Sequence, residues 1–389
     1  MAKIGTVWVV LVSLMALGYG QRLIWLGDEG FGPFPRLSAD GRVVVSDYDD
    51  RLTDRTHPVL WTYQDGWWYL KADGGLTRDP REALVGYANA VSYDGSIVTV
   101  REPLQDRLLL WKRGIGIEEI PRPAGTLNWA QFPGLSWDGN WLAGELDYPP
   151  RPGGIGPRRG TVRISPTRQA EFIIWCFCHD MSASGREIVG NCYFFGYHWR
   201  EGEGLRFLPW EGLNAVSADG RVATGGRVRW LVDENRVEQL FEGSAYLVEA
   251  TDISADGRVI VGYFEFEFGE TEIFLWIEGR GFATLRDLYP SVFRHVDLGE
   301  MYPSMSADGR YILLLTSRNQ SLKMAIFDRF GYQGDVDVNG CVDDGDLLRV
   351  LFAFGQTGST LAEDVNYDYV VDEQDLLLVL EQFGQGCGG

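Results

Sequence analysis

Val216-Ser217-Ala218-Asp219-Gly220-Arg221-Val222, Ile253-Ser254-Ala255-Asp256-Gly257-Arg258-Val259 and Met305-Ser306-Ala307-Asp308-Gly309-Arg310-Tyr311 are copies of one phrase. Four more copies precede them: Leu37-Ser38-Ala39-Asp40-Gly41, Val91-Ser92-Tyr93-Asp94-Gly95, Leu135-Ser136-Trp137-Asp138-Gly139 and the variant Met181-Ser182-Ala183-Ser184-Gly185. Their mean period of about 44 residues is that of a propeller blade. The phrase has a physical reading. Asp can hydrogen-bond the backbone two residues on, and Gly takes the left-handed position that closes a short hairpin. Each phrase therefore joins two antiparallel strands.

The flanking residues supply the strands. A second strand reads Val43-Val44-Val45 or Val259-Ile260-Val261-Gly262, and a third ends in Trp, as in Leu109-Leu110-Trp111 and Tyr197-His198-Trp199. A short fourth reads Trp68-Tyr69-Leu70 or Arg206-Phe207-Leu208. The expected fold is mainly β, a seven-bladed β-propeller of four-stranded blades over residues 21–330. The last copy lacks a fourth strand. Leu23-Ile24-Trp25-Leu26 precedes the first turn as the fourth strands precede the others, and is expected to close the ring. The phrase, the Val-Val-Gly-like strand, and His57-Pro58-Val59-Leu60-Trp61 with Glu272-Ile273-Phe274-Leu275-Trp276 resemble the HAF-type extracellular repeat family. That resemblance implies an extracellular propeller and no particular reaction.

Residues 332–389 hold twelve Asp or Glu against the single Arg349, more than half of the chain's net charge of -20. Two spacings organise them. Oxygen-bearing side chains stand at positions 1, 3 and 5 of each loop, Asp335, Asp337, Asn339 and Asp364, Asn366, Asp368, and a carboxylate returns at position 12 as Asp346 or Asp375. With the position-7 carbonyls of Cys341 and Val370, and water held by Asp343 and Asp372, each loop offers the six to eight oxygens that calcium takes. Apolar helical segments follow, and each unit ends in Phe-Gly, at Phe354-Gly355 and Phe383-Gly384. This EF-hand-like duplication resembles a type I dockerin, a small α-helical module, here over 331–389. The resemblance implies calcium as cofactor and a cohesin-like or cell-surface protein as partner. Position 6 is Gly340 in the first loop but Tyr369 in the second, and positions 10 and 11 lack the Ser or Thr pair of the well-known cellulosomal dockerins.

An apolar run from Ile4 to Leu17 after Lys3, followed by small residues, reads as a signal peptide over 1–20. The expectation is a secreted protein, extracellular or cell-surface, with no membrane insertion after cleavage. In an oxidising compartment Cys341 and Cys387 are expected to clasp the module, and Cys192 to pair with Cys176 or, after a one-residue shift, with Cys178. No basic stripe is present to neutralise phosphates, which speaks against nucleic acid.

No serine-hydrolase elbow, zinc motif or phosphate loop occurs, and the repeat Asp residues have a turn role. Catalysis is therefore not expected. The reading is a non-enzymatic binding or scaffold propeller carrying a calcium-dependent docking module. Its alternative is a carbohydrate-active, polysaccharide-degrading propeller enzyme. Tyr93 and Trp137, large where five copies have Ala, are candidate residues for stacking on a polysaccharide.

Overall fold

The computed structural model describes residues 21–28, 32, 35–154, 156–243, 247–265, 271–294, 296–298, 302–318, 321–358 and 361–387. The expected signal peptide lies outside the described residues. Seven antiparallel sheets follow one another along the chain, so the fold is mainly β, a seven-bladed propeller of four-stranded blades. Blade six shows the plan: Leu247–Ile253, Val259–Glu265, Thr271–Ile277 and Gly281–Thr284 pair in that order from the axis outward. Blade one adds a short strand at Leu76–Thr77, and the inner strands of blades three and seven are each in two pieces.

The repeated phrase works as a hydrogen-bonded unit. In blade one Ser38 Oγ donates to Asp40 Oδ1 at 2.6 Å and accepts the Val43 N–H at 2.9 Å, while Asp40 Oδ1 accepts the Arg42 N–H at 3.0 Å. In blade four, where Ser184 replaces Asp, Glu187 brings the carboxylate and Ser182 Oγ donates to it at 2.6 Å. The turn glycines are needed twice over. Gly139 has φ 72°, and a Cβ there would lie 2.4 Å from Ile97 of the preceding blade.

The residue between Ser and Asp has a further role that only the assembled ring reveals. The Tyr93 N–H donates to Trp137 O, Trp137 to Ala183, Ala183 to Ala218, Ala218 to Ala255, Ala255 to Ala307 and Ala307 to Ala39, and Asp40 N–H returns to Tyr93 O. These bonds of 2.7 to 3.1 Å form a closed circle of backbone around the axis. Arg22–Asp28 completes blade seven by pairing antiparallel with Ser321–Asp328, Leu23 opposite Phe327 and Ile24 opposite Ile326. The core lies in layers between blades. Val43, Val45 and Leu60 of blade one, for example, meet Val98, Val100 and Leu109 of blade two.

Two of the longer connections contain regular structure. The stretch from Ser46 to His57 is mostly hairpin, since Val43–Asp50 and Arg55–Thr62 run on together and Asp50 accepts the Thr53 N–H at 2.7 Å in the turn. The stretch after Arg286 contains the short helices Leu285–Leu288 and Pro290–Phe293, which bury Val292 and Phe293 against the ring.

Beyond the ring, helices Asp344–Ala353 and Glu373–Glu381 pack around Val342, Val350, Val371 and Val379. Three contacts tie this region to the ring-closing strand. Arg22 pairs with Asp328 at 3.4 Å and with Asp335 at 2.7 Å, and the Leu23 N–H donates to the Tyr367 hydroxyl at 2.7 Å. A disulfide joins Cys341 to Cys387.

Candidate functional site

Two residues before the repeat Ser, the inner strand of each blade carries either a small or a charged residue. In four blades it is small: Ala90, Gly134, Ala215 and Ser304. In the other three it is charged: Arg36, Asp180 and Asp252. These three, with His179 beside Asp180, line a central cavity of ≈ 650 Å³.

The electrostatics follow from that enclosure. Burial, reinforced by the charge of Asp252, pushes the Asp180 carboxyl up to about 7, against the Val216 N–H that it accepts at 2.9 Å. Burial likewise pushes Asp252 up to about 6, although its oxygens accept the Ile253 and Met305 N–H groups at 2.7 Å. His179 is pushed down to about 4, by burial first and by Arg36 second. Arg36 makes no ion pair or hydrogen bond with its guanidinium among the described residues. The cavity therefore gathers a guanidinium, a neutral imidazole and two carboxyls that exchange protons near neutrality. Two other carboxyls raised to about 7 stand outside it as clips between blades: Asp47 accepts the Ala88 N–H at 2.6 Å, and Glu145 accepts the Cys178 N–H at 3.0 Å.

Tyr93 and Trp137 lie together on the hydrogen-bonded circle, with ring centroids 4.8 Å apart and planes 50° apart. Trp137 faces the cavity, and Tyr93 is part exposed. Cys176 is bonded to Cys192, and Cys178 is a buried free thiol. His57 and His198 are structural, bound to Leu84 O at 2.7 Å and to Gly220 O at 3.0 Å.

The acidic loops share one skeleton. Asp335 accepts the Asn339 and Gly340 N–H groups, and Asp364 accepts those of Asp368 and Tyr369, all at 2.9 to 3.0 Å. Asp346 and Asp375 reach back to the N–H groups of Asp343 and Asp372 at 2.9 and 2.8 Å. Gly340 and Tyr369 both take left-handed φ, 91° and 85°. In loop one the carboxylates of Asp335, Asp337 and Asp346 come within 4.8 Å of one another, an acidic cluster that could hold a metal ion. Asp364 in loop two is pushed up to about 6 by burial.

The ring is similar in fold to oligogalacturonate lyases. One such enzyme, solved in complex with manganese, superposes with a TM-score of 0.55 at 11% identity over 80% of this chain and 94% of its own. A second, from Vibrio parahaemolyticus, gives 0.54 at 11% over 79% and 93%. No protein-family model matches the chain, and no curated protein does. These neighbours are enzymes and stand against the expectation of a non-enzymatic scaffold ring. Among the carboxylates of the ring, that expectation weighed only the Asp of the turn phrase, whose role is structural. Asp180 and Asp252 stand outside the phrase, and the signal for them was a charge at a repeat position that is otherwise small.

Proposed function

We propose that the ring is a carbohydrate-active enzyme that cleaves an acidic polysaccharide by β-elimination in the central channel. The observation that carries this reading is the convergence of Arg36, His179, Asp180 and Asp252 in one cavity. Three of the four suit a step. Arg36, which has no ion pair among the described residues, pairs with the carboxylate of a uronate and stabilises the negative charge that builds there as the neighbouring carbon loses its proton. His179, neutral above about pH 4, takes that C5 proton. Asp180, protonated up to about pH 7, gives its proton to the glycosidic oxygen as the C4–O bond breaks. One C–H and one C–O bond are lost, a C4=C5 double bond forms, and the products are an unsaturated uronate end and a free hydroxyl. The test is incubation with oligogalacturonate and other oligouronates, following ultraviolet absorbance of the unsaturated product. Absorbance should rise for the native chain and stay flat for Arg36→Ala; a native chain that cleaves none of them refutes the reading.

We also read the repeats as HAF-type and residues 331–389 as a dockerin-like module that holds calcium. Side-chain oxygens of Asp335, Asp337, Asn339 and Asp346, and of Asp364, Asn366, Asp368 and Asp375, with the Cys341 and Val370 carbonyls, would be the ligands, and Asp343 and Asp372 would hold water. All-oxygen donor sets on hairpin-tight loops suit a hard cation. Exposed Leu348, Leu351 and Phe354 repeat as Leu377, Leu380 and Phe383, a duplicated apolar surface for a cohesin-like or cell-surface partner. Secretion is in keeping with two disulfides. Among the described residues no helix is long and apolar enough to cross a membrane.

A further inference from the structure

A second pocket, of ≈ 240 Å³, opens beside the channel and shares Asn191 and Glu249 with it. Tyr193, Phe194 and Trp210 stand over it, and Glu211 completes its polar side. The aromatic residues have no folding explanation. Tyr193 is 91% exposed and Trp210 82% exposed, and both sit at left-handed φ, 53° and 70°. Such positions ordinarily fall to Gly, Asn or Asp, because a bulky side chain is strained there. The strained residues are nevertheless held firmly. The Trp210 N–H donates to Phe194 O at 2.9 Å, and the Cys176–Cys192 disulfide fixes the residue next to Tyr193.

An aromatic ledge above a pocket of carboxylates and amide matches a sugar, whose ring carries C–H groups on its faces and hydroxyls at its edge. The charge selects among sugars. Glu211, with Arg227 beside it, and Glu249 leave the pocket net acidic and unfavourable for a uronate, whereas Arg36 in the adjoining channel, with no ion pair among the described residues, attracts one. We propose that Tyr193, Trp210 and the Glu211–Glu249 pocket form a subsite for a neutral pyranose, adjacent to the uronate over Arg36. This rests on the reading of the channel as a carbohydrate site, and it makes the substrate a heteropolysaccharide that mixes neutral and acidic sugars.

The experiment is calorimetric titration of the full chain with two oligosaccharides of equal length, one alternating a uronate with a neutral hexose and one made of uronate alone. The native chain binds the alternating probe more tightly. Each ring stacked on a sugar contributes about tenfold in affinity, so Tyr193→Ala with Trp210→Ala should weaken that binding by roughly a hundredfold. Trp210→Phe should restore part of it, and melting curves should be unchanged because both side chains are exposed. Binding that the double variant loses supports the subsite whether or not the probe is cleaved, since absent cleavage falls on the chemistry at Arg36 and His179 alone. Equal affinity of the double variant and the native chain overturns the proposal, as does preference for the uronate-only probe or binding of neither. Retained affinity would leave the two rings as a protein contact.

Discussion

Replacing Tyr367 with Phe removes one oxygen and asks whether the acidic loops and the ring unfold together. Tyr367 stands in the second loop, yet it is only 4% exposed and packs with Leu23, Leu314 and Phe327 of the ring. Its hydroxyl accepts the Leu23 N–H at 2.7 Å, in the strand that closes blade seven. Without that oxygen the buried N–H loses its acceptor, which costs about 1 to 3 kcal/mol. At about 2 to 4 °C per kcal/mol for a domain of this size, the ring should melt about 2 to 12 °C lower. Tyr367→Ala also empties an aromatic site and should cost about 3 to 5 kcal/mol. The assay is simple because 13 of the 14 Trp lie within residues 21–330 and none beyond, so their fluorescence reports the ring and not the loops. A thermal melt followed by Trp fluorescence that is the same for Tyr367→Phe and the native chain would refute the reasoning. The C-terminal region would then unfold apart from the ring.

Deleting residues 22–28 should lower the same fluorescence midpoint by more than Tyr367→Ala does, because Ser321–Asp328 becomes an unpaired edge; an unchanged midpoint would show that the strand is dispensable. Removing calcium with a chelator should cost residues 332–387 their resistance to protease, since the carboxylates of Asp335, Asp337 and Asp346 repel without a cation, and Asp335→Ala should be more damaging than Asp364→Ala because it also breaks the pair with Arg22. Activity should fall on the alkaline side through about pH 7, where Asp180 loses its proton, and on the acid side toward about pH 4, where His179 gains one; a pH profile flat across neutrality would dismiss Asp180 as the acid. For stability the sign is as follows: the folded chain keeps the Asp180 proton that the unfolded chain releases from about pH 4, so this contribution is lost as pH rises through about 7. Asp180→Asn should therefore gain melting temperature relative to the native chain between pH 5 and 8, which melts at a series of pH values would read directly.

What the sequence made legible was whatever repeats. Seven phrases specify seven turns because each unit closes locally, Ser38 to Asp40 and to the Val43 N–H within six residues. The ring-closing strand was legible too, as a fourth strand missing at one end and a surplus one at the other. Relations between blades were not legible. The circle of bonds through Ala39, Tyr93, Trp137 and their equivalents joins residues that are neighbours only once the ring closes. Nor could the lone charges be read from local pattern, because Arg36, Asp180 and Asp252 lie far apart in the chain and meet only at the axis. A closed ring turns equivalent positions in sequence into neighbours in space, so a substitution that looks like drift in one repeat becomes chemistry when it is set beside its counterparts. At the position two before the repeat Ser, four blades have a small residue. The other three have a charged one; Asp180 and Asp252 also accept the N–H groups of Val216 and Met305 in the next blade, and a carboxyl held at the cavity with its proton affinity displaced is where catalysis is to be sought.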